Sequence, residues 1–406
     1  MKKILVLNAG SSSLKWQLSG LDDLSLINKG VMERMKTPEA IFTIVRNGEK
    51  FTEQIANLTY QQGVELLFDQ LKHLHLIQDV DEIAAVGHRV VAGATTFKQP
   101  TQITEKNLSE LKSLNKYAPL HNPVQVECIE TLMKVLPKST PEIAVFDSKF
   151  YLDMPEQNAL YAIPYDYSKQ YQIRKYGEHG ISHEYILHET ANFLKKDYHD
   201  IKLVTLHLGG GASITASENG KPYDTSMGFT PLEGLPMGTR SGSVDPAVVP
   251  FLMDELHVDA NKIIDILNEK SGLLGVSGIS ADMRDIVSNA PTNQRAKLVY
   301  DMFINSAVKY IGGYFTELGG LDVITFTAGI GEHQASLRTD IIDRLAVLGI
   351  KLDEDSNNNG NGPRVISAKD STVKVLMIPT NEELAIAKSV KPVSYTHLRA
   401  HETRSN

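Results

Sequence analysis

One pattern occurs twice in this chain, about half its length apart. Residues 4–18 read ILVLNAGSSSLKWQL and residues 203–217 read LVTLHLGGGASITAS. A shift of 199 positions (203 minus 4) sets Ile4 on Leu203, Leu7 on Leu206, Asn8 on His207 and Gly10 on Gly209. Ser11, Ser12 and Ser13 then fall on Gly210, Gly211 and Ala212. Each copy predicts a buried strand with a polar residue near its end, a turn of small residues, and a second strand. The segment after Gly211 is short, β-branched and alternating, which excludes the strand–glycine–helix cradle of dinucleotide-binding folds. A tight hairpin of small residues instead lets backbone N–H groups approach an anion closely. A lone hairpin of this kind needs no ligand. Its repetition predicts two related domains, each presenting such a hairpin to a shared cleft.

The composition supports that division and narrows the ligand. A chain of 406 residues holds two or more domains with sizeable cores. The net charge of −8 argues against nucleic acid and anionic membranes as partners, so a phosphate ligand must be held by local groups. Cys128 is the single cysteine, which rules out an intrachain disulfide and fits a reducing compartment. The apolar run of MKKILVLNAG stops at Asn8, too short for the core of a signal peptide, and no stretch approaches the ~18 apolar residues of a spanning helix. We expect a cytoplasmic protein.

Strand and helix signals alternate, which predicts an α/β fold. TYQQGVELLFDQLKHLHLI sets Val64, Leu67, Phe68 and Leu71 on one helical face. HNPVQVECIETLMKVLP has Asn122 as a helix cap and Pro123 in the first turn, and SHEYILHETANFLKK has Ser182 as its cap. VDPAVVPFLMDEL begins with Asp245 as cap. His121, His179 and Arg240 thus lie just before expected helix starts, where N–H groups and the macrodipole attract anions. Strands are expected at Ile83–Val86, Ile143–Phe146, Val323–Thr327 and Val373–Ile378. AGIGEH (328–333) reads as a glycine turn between a strand and a helix, the seat of a nucleotide in α/β proteins. After Pro392 the chain loses apolar periodicity and reads as a disordered or foreign tail. His397 and His401 in it lack a third ligand for a metal.

With these motifs in place, residues 1 to 390 resemble the acetate kinase family. The resemblance rests on NAGSSSLK (8–15), GHRVVAG (87–93), APLHNP (118–123), VFDSKF (145–150), HLGGGASI (207–214) and DTSMGFTPLEGLPMGTRSG (224–242). SGLLGVSGISADMRDI (271–286), FTAGIGE (326–332) and PTNEELAIA (379–387) complete it. It implies duplicated ribonuclease-H-like, actin-like ATPase domains with an interdomain cleft. The implied division is an N-terminal domain of residues 1–146 with 384–392, a C-terminal nucleotide-binding domain of 147–383, and a tail of 393–406. The implied reaction is reversible, magnesium-dependent, direct in-line phosphoryl transfer from ATP to acetate, giving acetyl phosphate and ADP in a cytoplasmic homodimer. Mn2+ is the alternative ion. Propionate or butyrate kinase, or a catalytically weakened relative, is the alternative activity. A nucleotide-switched structural protein of the actin type would keep the hairpins without needing convergent arginines.

The family's roles carry over residue by residue. Arg89 and Arg240 would clamp the acetate carboxylate and stabilise the phosphoryl oxygens in flight, work that suits a planar, always charged side chain. His179 and His207 would contact the phosphoryl group, and Asp147 would orient an arginine or a metal-bound water. Asn8 and Glu382 would lie on the magnesium side. Ser11, Ser13 and Lys15 belong to the first phosphate hairpin, and His207, Leu208, Gly209, Gly210 and Gly211 to the second. Asp282, Met283 and Arg284, with Gly329, Ile330 and Gly331, would form the adenosine pocket. Val91, Leu120 and Pro231, with His121 nearby, would set acyl size. The chain departs from the family at Glu178, where phenylalanine is usual, and at Gly210, where asparagine is usual. Ala92 and His333 also differ from the commoner residues.

Overall fold

A computed structural model describes residues 1–402 apart from Ser11, Asn47 and Leu120, with the side chains of residues 395–402 outside the description. Ser11 and Leu120, both assigned ligand roles above, therefore lie outside the described residues. The chain forms two compact units, Met1–Lys149 together with the chain from Asn381 onward, and Phe150–Thr380.

The strands of the first unit are β1 (Lys3–Ala9), β2 (Ser13–Gly20), β3 (Leu26–Glu33), β4 (Ile41–Arg46), β5 (Glu49–Gln54), β6 (Ile83–Val90), β7 (Thr101–Ile103) and β8 (Glu142–Phe146). Those of the second are β9 (Leu203–Leu208), β10 (Ala212–Glu218), β11 (Lys221–Thr225), β12 (Val323–Thr327), β13 (Arg364–Val365) and β14 (Lys374–Met377). Among the described residues they make one sheet per unit, ordered β5-β4-β3-β2-β1-β6-β8-β7 and β11-β10-β9-β12-β14-β13. The segments β3-β2-β1-β6-β8 and β11-β10-β9-β12-β14 share one plan. In each, two antiparallel pairings lead to a central strand, and two parallel pairings continue the sheet beyond it. This is the duplicated actin-like ATPase architecture, and the repeated sequence pattern is its central hairpin in both copies.

The central strands explain why the repeat was readable. Every residue of β1 is buried, as are all of β9, because helices cover both faces of a parallel centre and demand a near-continuous apolar run. In the first unit, Thr59 and Gln62 form a capping box at the start of the helix Tyr60–His73, whose buried face includes Val64, Leu67, Phe68 and Leu71 as expected. In the second unit, Asn293 caps the long helix Gln294–Glu317, which buries Val299, Phe303, Ile304 and Ile311.

The C-terminal helix Glu382–Glu402 packs on β1 and β6. A Cβ on Gly87 of β6 would stand 2.7 Å from Ile386 Cγ2 and from Val390 Cγ2, so only glycine admits the helix this closely. Ile386 and Val390 are fully buried, each stabilising the unit by about 1.5–3 kcal/mol. That contact positions the two carboxylates of the helix's first turn. The helix passes through Pro392 and runs to Glu402, where the sequence pattern pointed to an unstructured tail. Ser394, at the limit of side-chain description, is buried and donates to the Lys391 carbonyl at 2.8 Å.

Several helix starts differ from the sequence reading. His121 rather than Asn122 is the cap of the helix Asn122–Val135, and His179 rather than Ser182 is the cap of Gly180–Leu194. The helix after Asp245 begins only at Val248, so Arg240 does not sit at a helix start. AGIGEH is itself a short helix, Ala328–His333, entered through Ala328 at φ 64°.

Candidate active site

In the first unit the functional side chains gather at the carboxyl ends of adjacent parallel strands, where open α/β sheets bind ligands. Asn8 is near the end of β1, Arg89 near the end of β6, and Asp147 comes directly after β8. Arg89 donates from Nε and Nη2 to Asp147 Oδ2 at 2.9 and 2.6 Å, and from Nη1 to Asn8 Oδ1 at 3.3 Å. Asp147 is 1% exposed as a side chain and Arg89 12%, so the pair is shielded and geometrically defined. Asn8 Nδ2 donates to Glu382 Oε2 at 2.8 Å and Glu383 Oε1 at 3.1 Å. The structure thus brings Asn8, Arg89, Asp147 and Glu382 together and adds Glu383.

Around them, Val91 is buried and donates its N–H to Gln125 Oε1 at 3.0 Å. The side chain of Asn122 holds both the N–H and the carbonyl of Ala92, which fixes the segment after β6 against the helix that His121 caps. Ser13 begins β2 and accepts the Gly10 N–H at its carbonyl, closing the first hairpin. Lys15 is exposed on β2 opposite Asn8, and its side chain makes no hydrogen bond or ion pair among the described residues.

The second unit repeats the arrangement. His207 lies near the end of β9, opposite Thr327 at the end of β12, and Leu208 is buried beneath the turn. The Gly209 N–H bonds the Gly211 carbonyl at 2.9 Å to close the turn. A Cβ on Gly211 would stand 3.2 Å from Cε1 and Nε2 of His179 and 3.9 Å from Nη1 of Arg240. One on Gly209 would stand 3.8 Å from Cβ of Ala328, beside the segment Gly329, Ile330 and Gly331. One on Gly238 would lie 3.0 Å from the Ala281 carbonyl and 3.6 Å from that of Gly210. The turn is therefore surrounded by two histidines, an arginine, the start of Ala328–His333 and the segment leading into Asp282.

Asp282 caps the helix Met283–Asn289, and its carboxylate pairs with the well-exposed guanidinium of Arg284, while Met283 is buried. Arg240 donates from Nη1 to the Pro231 carbonyl at 3.5 Å and to Met237 Sδ at 3.7 Å. Among the described residues no carboxylate pairs with it, which leaves its remaining donors for a ligand.

The rings of His179 and His207 stack at 4.1 Å and 16°. Each rests its Nδ1 on a serine hydroxyl, Ser213 for His179 at 2.9 Å and Ser182 for His207 at 2.8 Å. Ser182 is therefore a histidine partner and not the cap that spacing indicated. Ser213, His183 and Glu383 were missed. Ser213 occupies a strand position with no local signal, and Glu383 could have been found by asking which second carboxylate adjoins Glu382.

Gly272 shows how the Arg240 loop is held. It has φ +59°, and a Cβ there would stand 2.0 Å from the Met237 carbonyl and 2.5 Å from the Arg240 carbonyl. Both obstacles are backbone and cannot rotate away. Gly272→Ala should destabilise the protein by about 1–3 kcal/mol through overpacking and lower turnover by at least ~10-fold by displacing Arg240. Thermal melting and initial rates on the same sample check both effects.

The sequence profile of the Acetokinase family matches residues 3–388. The chain belongs to the acetokinase family. Acetate kinase 1 of Latilactobacillus sakei is 46% identical over 96% of this chain and 99% of that protein. The crystal structure of a propionate kinase from Francisella tularensis superposes with a TM-score of 0.88 at 38% identity, covering 96% of this chain and 99% of the other. That of Porphyromonas gingivalis acetate kinase does so at 0.87 and 38% identity, covering 98% and 100%.

Within this family, the two departures have different structural consequences. A Cβ on Gly210 would meet nothing within 4 Å, so the usual asparagine is missing from open space at the exposed tip of the turn. Glu178 is 3% exposed, and its carbonyl accepts the Tyr151 hydroxyl at 2.9 Å. Its basic neighbours in sequence, Lys175 and Arg174, are engaged elsewhere. Lys175 pairs with Asp224 at 2.8 Å, and Arg174 donates to the carbonyls of Tyr151 and Lys175.

Proposed function

We propose that this protein catalyses reversible phosphoryl transfer from ATP to acetate, forming acetyl phosphate and ADP. The observation that carries the reading is Arg240. It is an arginine without a carboxylate partner among the described residues, set beside His179 at a glycine turn. An actin-type structural protein has no need of that concentration of donors. Relatives named acetate kinase, such as the Latilactobacillus sakei protein at 46% identity over nearly the full length, support acetate as the acceptor.

The acceptor is already an anion, so no general base is required. The barrier is the meeting of two anions, which at ~4 Å and an effective dielectric near 20 repel by ~4 kcal/mol. The reading assigns Arg89, held in place by Asp147, to the acetate carboxylate, and Val91, Leu120, His121 and Pro231 to the acyl pocket. It assigns Arg240, His179, His207 and the N–H groups of Gly209–Gly211 to the phosphoryl oxygens. Ser13 and Lys15 join the phosphate contacts. Asp282–Arg284 and Gly329–Gly331 take the adenosine.

Asn8, Glu382 and Glu383 form an oxygen-rich set suited to Mg2+. Among the described residues there is no group of three or more His, Cys, Asp or Glu arranged to hold a metal. That fits an ion held by one or two carboxylates, phosphate oxygens and water. When bound, the ion neutralises phosphate charge. Hydroxamate trapping of acyl phosphate, with acetate, propionate and butyrate in parallel, tests the assignment. Product with acetate at the highest kcat/KM supports it, and product only with a longer acid rejects acetate as the substrate.

Glu178 bears on the same pocket. Its buried carboxylate opposes an incoming carboxylate if it lines the acyl site as its family position implies. Glu178→Gln should lower the apparent KM for acetate by roughly 10-fold, a fraction of the unscreened repulsion, and leave that for ATP nearly unchanged. An unchanged acetate KM would remove Glu178 from the pocket.

The homodimer rests on the helix Val248–Leu256, of sequence VVPFLMDEL, none of whose residues is buried. Phe251 is 62% exposed and Leu256 51%. Such a face is a candidate for cover by a second copy. Phe251→Asp should yield a monomer by sedimentation, and a persistent dimer would move the interface elsewhere. Among the described residues no helix is long and apolar enough to cross a membrane. We place the protein in the cytoplasm, in keeping with its single buried thiol.

A further inference from the structure

His183 is fully buried in the first turns of the helix Gly180–Leu194, and no substrate role falls to it. Its Nε2 lies 2.8 Å from Ser213 Oγ, and the same oxygen lies 2.9 Å from Nδ1 of His179. The Nδ1 of His183 has no hydrogen-bond partner among the described residues. Burial, with a smaller contribution from His207, pushes His183 well below the usual histidine range, so its ring is neutral and carries one proton. A proton on Nδ1 would be a buried donor without an acceptor, which folded proteins avoid more strictly than an unfilled acceptor. The proton therefore sits on Nε2 and is donated to Ser213. A hydroxyl has one proton of its own, and among the described residues the neighbour left to receive it is Nδ1 of His179. Neutral His179 must then carry its proton on Nε2, the atom on the side of the Gly211 turn and Arg240.

Taking the phosphoryl transfer proposed above as the reaction, we propose that His183 and Ser213 are positioning residues. They form a one-way hydrogen-bond relay that locks His179 in the Nε2–H tautomer, so that a donor and not a lone pair faces the transferring phosphoryl group. The serine contact of His207 is of another kind among the described residues, with a second hydroxyl beyond the serine. Its serine, Ser182, meets Thr380 Oγ1 at 2.8 Å, a hydroxyl that can point either way.

Long-range 1H–15N correlation spectra of the 15N-histidine-labelled full chain read the tautomer directly, with His179 assigned by the signal lost in His179→Gln. We expect Nε2–H for His179. Ser213→Ala and His183→Phe should each release that preference and lower kcat by roughly 10- to 100-fold, with little change in KM for either substrate. Ser213→Thr, which keeps the hydroxyl, should recover both the signal and the turnover. If His183→Phe fails to fold, Ser213→Ala and its threonine counterpart carry the test. A proton on Nδ1 in the unaltered protein, or a tautomer unmoved by Ser213→Ala, overturns the relay. A changed tautomer with unchanged kcat overturns its part in the reaction. Failure of the unaltered protein to form acyl phosphate would reject the phosphoryl-transfer reading instead, and the spectra do not depend on that result.

Discussion

Arg240→Ala should lower turnover by about 10²–10³-fold, the loss of one strong transition-state donor at about 2.7–4 kcal/mol, while leaving the melting temperature nearly unchanged. The two halves of this expectation come from one observation. Among the described residues, Nη1 of Arg240 reaches the Pro231 carbonyl at 3.5 Å and Met237 Sδ at 3.7 Å, contacts too long to contribute much to folding. Its donors are thus kept for something absent from the folded chain itself. Arg240→Lys should recover only part of the loss, because an ammonium cannot present two parallel donors to a phosphoryl group. Initial rates at saturating ATP and acetate, with melting curves on the same preparations, decide the matter. Turnover within a few-fold of the unaltered protein would take Arg240 out of the reaction.

The central strands were legible because burial on two faces writes a simple signature, a near-continuous apolar run with one polar residue near its end. Asn8 and His207 are those residues, and the matching pattern led to two sheets of one plan. Helix interiors were legible by periodicity, as at Val64, Leu67, Phe68 and Leu71. Helix starts were not. His179 is a cap with φ 59°, a conformation that histidine spacing does not announce, and Ser182 looked like a cap because serine usually is one. The second tier of the site was also hidden. Ser213 meets two histidines only because β10 folds back beside the helix Gly180–Leu194, an approach set by tertiary packing and not by distance along the chain. The buried setting of Glu178 was hidden for a related reason. Its basic neighbours in sequence, Arg174 and Lys175, spend their donors on Tyr151, Asp224 and their own backbone.

Arg89→Ala should fail in two separable ways. Turnover should fall by about 10²–10³-fold through loss of the carboxylate clamp, and stability should fall by about 3 kcal/mol. The second effect arises because Asp147, 1% exposed, loses both donors that Arg89 supplies to its Oδ2. Breaking a buried pair from one side costs more than the pair contributes, since the remaining charge keeps its desolvation penalty. The 12% exposure of Arg89 lets some water reach the site and holds the expected cost at the low end of the ~3–5 kcal/mol range. Adding Asp147→Asn to Arg89→Ala removes that charge and should restore most of the stability. It should restore none of the turnover, because the clamp is still missing. Asp147→Asn alone should keep the shape of the site but weaken the hold on the guanidinium, lowering turnover less than Arg89→Ala does. Chemical denaturation of the three variants, set beside their rates, completes the cycle. A double variant as unstable as Arg89→Ala would mean that the loss comes from packing of the arginine stem. Recovery of turnover in the double variant would mean that Asp147, and not Arg89, controls the chemistry.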